Sequence, residues 1–439
     1  MAKINKQTPV RTHEGAKGRA FTPEQELRRA LMNCMLWEDQ FYEDGVSIAE
    51  RIGALVPKVE AEKVAAMAVE ARVEMKLRHA PLLLVREMAR HEGHKALVAD
   101  TLDKVVQRPD ELTEFLAIYW SDALGPMQQR KMRAVSAQAK KGLARAFAKF
   151  DAYQLAKYNR DGAVRLRDVL FLTHAKPKDA AQEKVWKELV DGKLSPPDTW
   201  EVSLSGGADK RQTFERLIAE KKLGALALLR NLRGMLMAGV PKETIGKALE
   251  DMRTDRVLPY RFIAAAGHAP DLEAELEKAM FRSIEGHAKL EGKTRLLVDV
   301  SGSMDSAISQ RSEMRRLDAA CGLAVLAREI GEDVEIYTFS DHVKKVAPRR
   351  GFALRDAIVS SQPHSGTLLG KAIEEVDRQG VRLIVFTDEQ AHDVVPAPKD
   401  VGYMVNVASY QHGVGHGPWR RIDGFSEKIL DWIIASEQG

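Results

Sequence analysis

Asp299, Ser301 and Ser303 fall two residues apart in the stretch Leu296–Leu297–Val298–Asp299–Val300–Ser301–Gly302–Ser303–Met304, directly behind an apolar run. The run reads as a buried strand, and residues spaced by two along an extended backbone point the same way. One carboxylate and two hydroxyls can therefore offer three oxygens to a single hard cation. Two later segments add donors: Thr367 in Ser365–Gly366–Thr367, and Asp388 at the end of Leu383–Ile384–Val385–Phe386–Thr387–Asp388. The set Asp299, Ser301, Ser303, Thr367 and Asp388 suits Mg²⁺ or another divalent cation with oxygen coordination, and leaves an exchangeable position for a carboxylate or phosphate. The motif offers no nucleophile–base pair and only one ion, so binding rather than hydrolysis is expected and the chain is not read as an enzyme.

A second set of residues could meet phosphate. Between Asp122 and Asp151 there is no acid, while Arg130, Lys131, Arg133, Lys140, Lys141, Arg145 and Lys149 all fall there. Lys157–Tyr158–Asn159–Arg160–Asp161–Gly162 follows, then Arg165, Arg167 and Leu172–Thr173–His174–Ala175–Lys176–Pro177. Taken singly, each cation is a solvated helix face and the histidine a structural residue. Together they form a basic surface with Tyr158 and His174 able to stack or hydrogen-bond, a combination that suits RNA. Net charge supports the division: residues 294–439 carry 17 Lys+Arg against 21 Asp+Glu, and the residues before them 50 against 42.

The elements that must carry these residues change character once along the chain. Thr22–Pro23–Glu24–Gln25 reads as an N-cap, a first-turn proline and a capping-box glutamine. Apolar residues then recur at helical spacing for over two hundred residues: Leu27, Leu31, Cys34 and Met35; Leu112, Phe115, Leu116 and Tyr119; Leu226, Leu229, Leu232, Met235 and Leu236. Breaks such as Gly125–Pro126 and Ser195–Pro196–Pro197 separate them, which predicts an all-α array of stacked hairpins. From Thr294 strands alternate with helices, predicting a doubly wound, mainly parallel sheet whose strand C-termini gather the metal loops at one edge. The expected division is a basic flexible tail over 1–20, a helical-repeat RNA-binding domain over 21–293 and an α/β domain over 294–439. A chain of 439 residues at 44% hydrophobic can bury such cores. No apolar run approaches the roughly 18 residues of a membrane span. The two cysteines, Cys34 and Cys321, read as buried thiols, so a soluble cytoplasmic protein of a reducing compartment is expected.

The Asp-x-Ser-x-Ser loop with its later Thr367 and Asp388 resembles the metal-ion-dependent adhesion site of a von Willebrand factor A domain. The chain as a whole resembles the Ro ribonucleoprotein family of TROVE-domain proteins, in its bacterial or phage form. The likeness is carried by Leu27–Arg28–Arg29–Ala30–Leu31 with Tyr42, by Lys157–Tyr158 through Arg167–Asp168–Val169–Leu170 to His174–Ala175–Lys176–Pro177, by Ala227–Leu228–Leu229–Arg230–Asn231–Leu232, by Leu258–Pro259–Tyr260–Arg261–Phe262, and by Thr294–Arg295 leading into the metal loop. The resemblance implies a monomeric ring of HEAT-like helical repeats clasped by the A domain. It implies a basic outer surface binding small noncoding Y-like RNA, and a central hole for single-stranded 3′ ends of misfolded RNA that can pass to an exoribonuclease. By that likeness Lys157, Arg160 and His174 are RNA-binding residues, with Arg165 and Arg167 beside them; Arg130, Lys131, Lys140 and Lys141 rest on charge alone. Asp161 and the loop His364–Ser365–Gly366 depart from the family pattern. The alternative is an Mg²⁺-dependent adaptor that uses the A domain to capture an acidic partner protein.

Overall fold

The computed structural model describes residues 10–32, 45–121, 134–255, 257, 259–308, 314–408, 410, 412–415, 417–424, 426 and 428–438. Cys34, Tyr42, Arg130 and Lys131 lie outside them. By its internal packing the chain forms two compact units, one of residues 23–39 and 44–206, the other of 1–22, 40–43 and 207–439.

Among the described residues the elements of the first unit are all helices, from Pro23–Met32 to Trp200–Ser205. Each helix packs mainly on its neighbour or next neighbour in the chain, as Ala61–Val73, His79–Arg90 and Lys95–Val105 do on one another. That is the hairpin stacking expected from periodicity, and it builds one continuous core from Leu27 to Leu189. Close approach is achieved with a glycine: a Cβ on Gly142, in Ala137–Phe147, would sit 2.9 Å from the carbonyl oxygen of Ala99 in Lys95–Val105. Where charge is buried it is paired, as Arg72 is with Glu111 at 2.6 Å, since an unpaired buried ion is costly.

The second unit adds helices Lys210–Ala219 to Glu273–Ile284 to a six-stranded sheet. Its strands are β1 (Leu290–Asp299), β2 (Gly331–Phe339), β3 (Val343–Lys345), β4 (Arg382–Thr387), β5 (Gly402–Asn406) and β6 (Arg420–Asp423), in the order β3-β2-β1-β4-β5-β6. All neighbours are parallel except the hairpin β2–β3. Leu296, Leu297 and Val298 in succession are fully buried, as expected of a parallel strand covered on both faces. The helix Arg316–Ile330 is apolar on nearly every side because it is sandwiched: β1 and β2 lie against it, and so do helices Pro259–His268 and Gly351–Val359. The change from helix to sheet at Leu290 therefore lies inside one packed unit.

Residues 10–20 differ from the flexible tail expected of them. Arg11 and Lys17 bridge to each other and Arg19 bridges to Gly413; the Thr12 hydroxyl donates to the Ala391 carbonyl at 2.9 Å and is buried. Basic composition hid this, because the segment is held through its backbone and Thr12 rather than through an apolar stripe.

Gly322 lets the sandwiched helix approach Tyr260, whose Cβ would lie 2.9 Å from an added Cβ. Gly322→Val is expected to destabilise the protein by about 1–3 kcal/mol through overpacking, read as a lower denaturant midpoint. An unchanged midpoint would show that the two helices can part without loss.

Candidate metal centre and nucleic-acid interface

β1 and β4 are adjacent parallel strands with Val298 opposite Phe386, so Asp299 and Thr387 end side by side. The chain winds one way from β1 to β2 and the other from β4 to β5. Where the winding reverses, the loops diverge and leave a crevice beyond the strand ends. Asp299 closes β1 and Asp388 lies immediately past β4, both fully buried.

Local hydrogen bonds hold the donors. One Asp299 carboxylate oxygen accepts the Ser301 amide at 2.9 Å and the other accepts the Thr387 hydroxyl at 2.6 Å. The Ser301 and Ser303 hydroxyls are 3.2 Å apart at the start of the turn Gly302–Asp305. Gly302 donates to the Ser365 carbonyl at 3.1 Å and Leu368 to the Ser340 carbonyl at 2.9 Å, which pins the loop bearing Thr367 to both the first metal loop and the end of β2. The Thr367 amide donates to His392 Nδ1 at 3.1 Å, and the His392 amide returns to the Thr367 carbonyl at 3.0 Å. All five expected ligands are thus buried on loops of the same sheet edge.

Burial, and then the charge of Asp388, push the Asp299 carboxyl up to about 7, against hydrogen bonds from Ser301 and Thr387 that favour the ion. Two like charges in one dry crevice call for a cation. Part of that call is answered by Arg316, buried at the start of its helix with Nη1 3.7 Å from Asp388. Among the described residues no three His, Cys, Asp or Glu side chains form a ligand cluster; a metal here would rely on the hydroxyls of Ser301, Ser303 and Thr367 beside the two carboxylates, a set that fits a hard ion.

Sequence reasoning missed Arg316, Thr387 and the N-terminal contribution. Glu14 lies 3.1 Å from His392 Nε2 and the His13 amide donates to Gln390 at 2.8 Å, so residues 12–14 brace the loop after β4. The alternation of Thr387–Asp388 could have flagged Thr387; nothing local could have flagged Glu14.

The basic residues sort by what they touch. Arg165 pairs with Asp161 at 3.2 Å and Arg167 approaches Asp168 at 3.9 Å, so both are partly neutralised. Arg145 and Lys149 are likewise paired, with Asp100 and Asp103. Lys140, Lys141, Lys157 and Arg160 have no ion pair among the described residues. His174 is exposed and caps Leu166–Thr173 in a left-handed conformation, φ 50°. Tyr158 is less available than its sequence position promised, since the Arg108 guanidinium lies 4.7 Å over its ring. Among the described residues of the helical unit, Tyr153, 52% accessible, and Phe171, 61%, expose their rings. Tyr153 stands one turn before Lys157 on the same helix face.

The TROVE domain family matches residues 187–320. The crystal structure of the Ro (RSR) protein of Deinococcus radiodurans is similar over 92% of this chain and 97% of that one, with a TM-score of 0.58 at 19% identity. The chain has the fold of that Ro protein, and a TROVE-domain match lies within it. Telomerase protein component 1 of Mus musculus is 34% identical over 90 residues, and that of Rattus norvegicus 33% over the same length; the match takes in 19% of this chain and about 3% of each of those proteins. The segment that matches the TROVE domain ends within the sandwiched helix Arg316–Ile330, so the matched helices and the sheet edge that holds Asp299 share a packing element.

Between the ordinary carboxylate value of 3.8 and about 7, the unfolded chain releases the Asp299 proton while the folded chain keeps it. Stability of the metal-free protein therefore falls as pH rises through that window. Melting curves across it should show a smaller fall for Asp299→Asn than for wild type; identical profiles would remove Asp299 from the account.

Proposed function

We propose that this protein is a non-catalytic RNA-binding scaffold of the Ro type. Its ligands are a small structured noncoding RNA of the Y kind, held on the basic face of the helical unit, and single-stranded 3′ ends of misfolded RNA, which it presents to an exoribonuclease. The observation that carries this reading is the group of cations on the helical unit without ion pairs among the described residues, Lys157 and Arg160 foremost, beside the exposed rings of Tyr153 and Phe171. Unpaired cations neutralise phosphates and release counterions, while exposed rings stack on unpaired bases. Paired cations such as Arg165 and Arg167 would have to surrender Asp161 and Asp168 first.

The sheet edge supports a second role within the same protein. Asp299, Ser301, Ser303, Thr367 and Asp388 would hold Mg²⁺, which when bound supplies a positive, exchangeable coordination position. What supports this is the pair of carboxylates whose burial, and then mutual repulsion, raise the Asp299 pKa. Ser340 and Asp341 fix the Thr367 loop through Ser365 and Gly366, so the protein's own part is to keep the hydroxyls in place. The position fits an acidic side chain of a partner protein. No helix among the described residues is long and apolar enough to cross a membrane.

Binding of a fluorescent hairpin RNA with a 3′ tail should weaken steeply with salt. Changing Lys157, Arg160 and His174 together to alanine should reduce affinity by about tenfold or more and lower the salt slope by about two. Retained affinity would take this surface out of RNA binding. Separately, calorimetric titration with MgCl₂ should give heat for wild type and none for Asp299→Ala, whose RNA affinity should be unchanged; equal heats would refute the metal site.

A further inference from the structure

Residues 11–17 fold back on themselves as a small hairpin turn. Arg11 and Lys17 bridge to each other, the Gly15 amide donates to the Thr12 carbonyl at 3.1 Å, and the Thr12 hydroxyl accepts the Ala16 amide at 3.0 Å. Gly15 sits at φ 90°, which only glycine adopts readily. The turn therefore presents Thr12, His13 and Glu14 as a preformed tip. That tip meets three consecutive residues of the loop after β4. The His13 amide donates to Gln390 Oε1 at 2.8 Å, the Thr12 hydroxyl donates to the Ala391 carbonyl at 2.9 Å, and Glu14 Oε2 lies 3.1 Å from His392 Nε2. Two of those three loop residues are bonded in turn to expected cation ligands. The Gln390 amide donates to Asp388 Oδ1 at 3.2 Å. His392 Nδ1 accepts the Thr367 amide at 3.1 Å, which leaves Nε2 to carry the ring proton on the side of Glu14. Beyond the turn, Arg19 anchors the segment again: its amide donates to the Gly413 carbonyl and its Nε to the Val414 carbonyl, each at 3.0 Å.

We propose that Thr12, His13 and Glu14 are positioning residues of the metal centre, so that docking of the N-terminal hairpin and binding of a divalent cation favour each other. The proposal rests on the Mg²⁺ reading of the sheet edge and adds to it a control from far away in the chain: His13 and Gln390 are 377 residues apart. Groups behind a metal's ligands fix ligand orientation, and losing one typically costs about 10–100-fold in metal affinity. The donor set makes that bracing matter. Thr367 brings a hydroxyl and no charge, so it contributes to the extent that its oxygen is already in place. Its backbone is held by the His392 ring, whose far nitrogen Glu14 faces. Asp388 is held in the same way through Gln390, whose side chain also donates to the Asp388 carbonyl at 3.1 Å. Both routes start from one turn of the hairpin. Coupling between two binding events is reciprocal: whatever lifts the hairpin off the loop weakens the hold on the cation, and a bound cation keeps the hairpin down.

The test uses the full chain and MgCl₂. In a calorimetric titration the double variant Thr12→Val, Glu14→Ala should bind Mg²⁺ about tenfold more weakly than wild type. The conservative double variant Thr12→Ser, Glu14→Gln should stay close to wild type, because it keeps a hydroxyl for the Ala391 carbonyl and an acceptor oxygen for His392. A long-range effect of the Glu14 charge alone would weaken both variants alike. A second arm needs no change in the hairpin and reads the coupling in reverse. Saturating Mg²⁺ should slow tryptic cleavage of wild type after Lys17 by about fivefold or more, followed by mass spectrometry, and should leave the rate unchanged in Asp299→Ala. Wild-type Mg²⁺ affinity in the Val/Ala variant, equal weakening in the Ser/Gln variant, or cleavage indifferent to Mg²⁺ would overturn the coupling, while Mg²⁺ heat from wild type would leave the metal site standing. No Mg²⁺ heat from wild type would overturn both.

Discussion

The burial of one helix on all sides governs how the second unit holds together. Arg316–Ile330 has a sheet on one side and Pro259–His268 with Gly351–Val359 on the others, so it has almost no polar face to give to water. Its first residue, Arg316, is itself buried and faces Asp388 across 3.7 Å. Packing of the helix body thus sets the position of the Arg316 guanidinium against the buried carboxylate of Asp388. The approach is close enough that Gly322 is needed at the contact with Tyr260.

The two candidate sites follow opposite electrostatic logic. At the sheet edge, negative groups are concentrated and kept dry, which disfavours their charged forms. On the helical unit, positive groups stay in water and many are neutralised locally, as Arg145 and Lys149 are by Asp100 and Asp103. Surface pairs of this kind contribute little to stability. Their effect is selective: they narrow the surface that attracts phosphate to residues such as Lys140, Lys141, Lys157 and Arg160.

Much of this was legible in the chain. Period-two donors behind an apolar run placed Asp299, Ser301 and Ser303 at a strand end, and the observed β1 ends at Asp299. The strand β4 appears where the apolar run Leu383–Ile384–Val385–Phe386 predicted it. β3 and β6 escaped because they are three and four residues long and partly charged, Val343–Lys345 and Arg420–Asp423, without the apolar run that marks a buried strand. Residues 10–20 escaped for a related reason: backbone bridges and one buried threonine leave no mark on hydrophobic periodicity.

By itself the sequence determined the local periods, the order of helices before sheet, the identity of the oxygen donors and the excess of positive charge in the first two-thirds. Each of these depends on residues near one another along the chain. Tertiary structure alone decided that Tyr158 is covered by Arg108, fifty residues earlier, while Tyr153 is open. It also decided that Glu14 braces the loop at His392. Such pairings join distant segments through solvent exclusion and charge, and no local spacing encodes them.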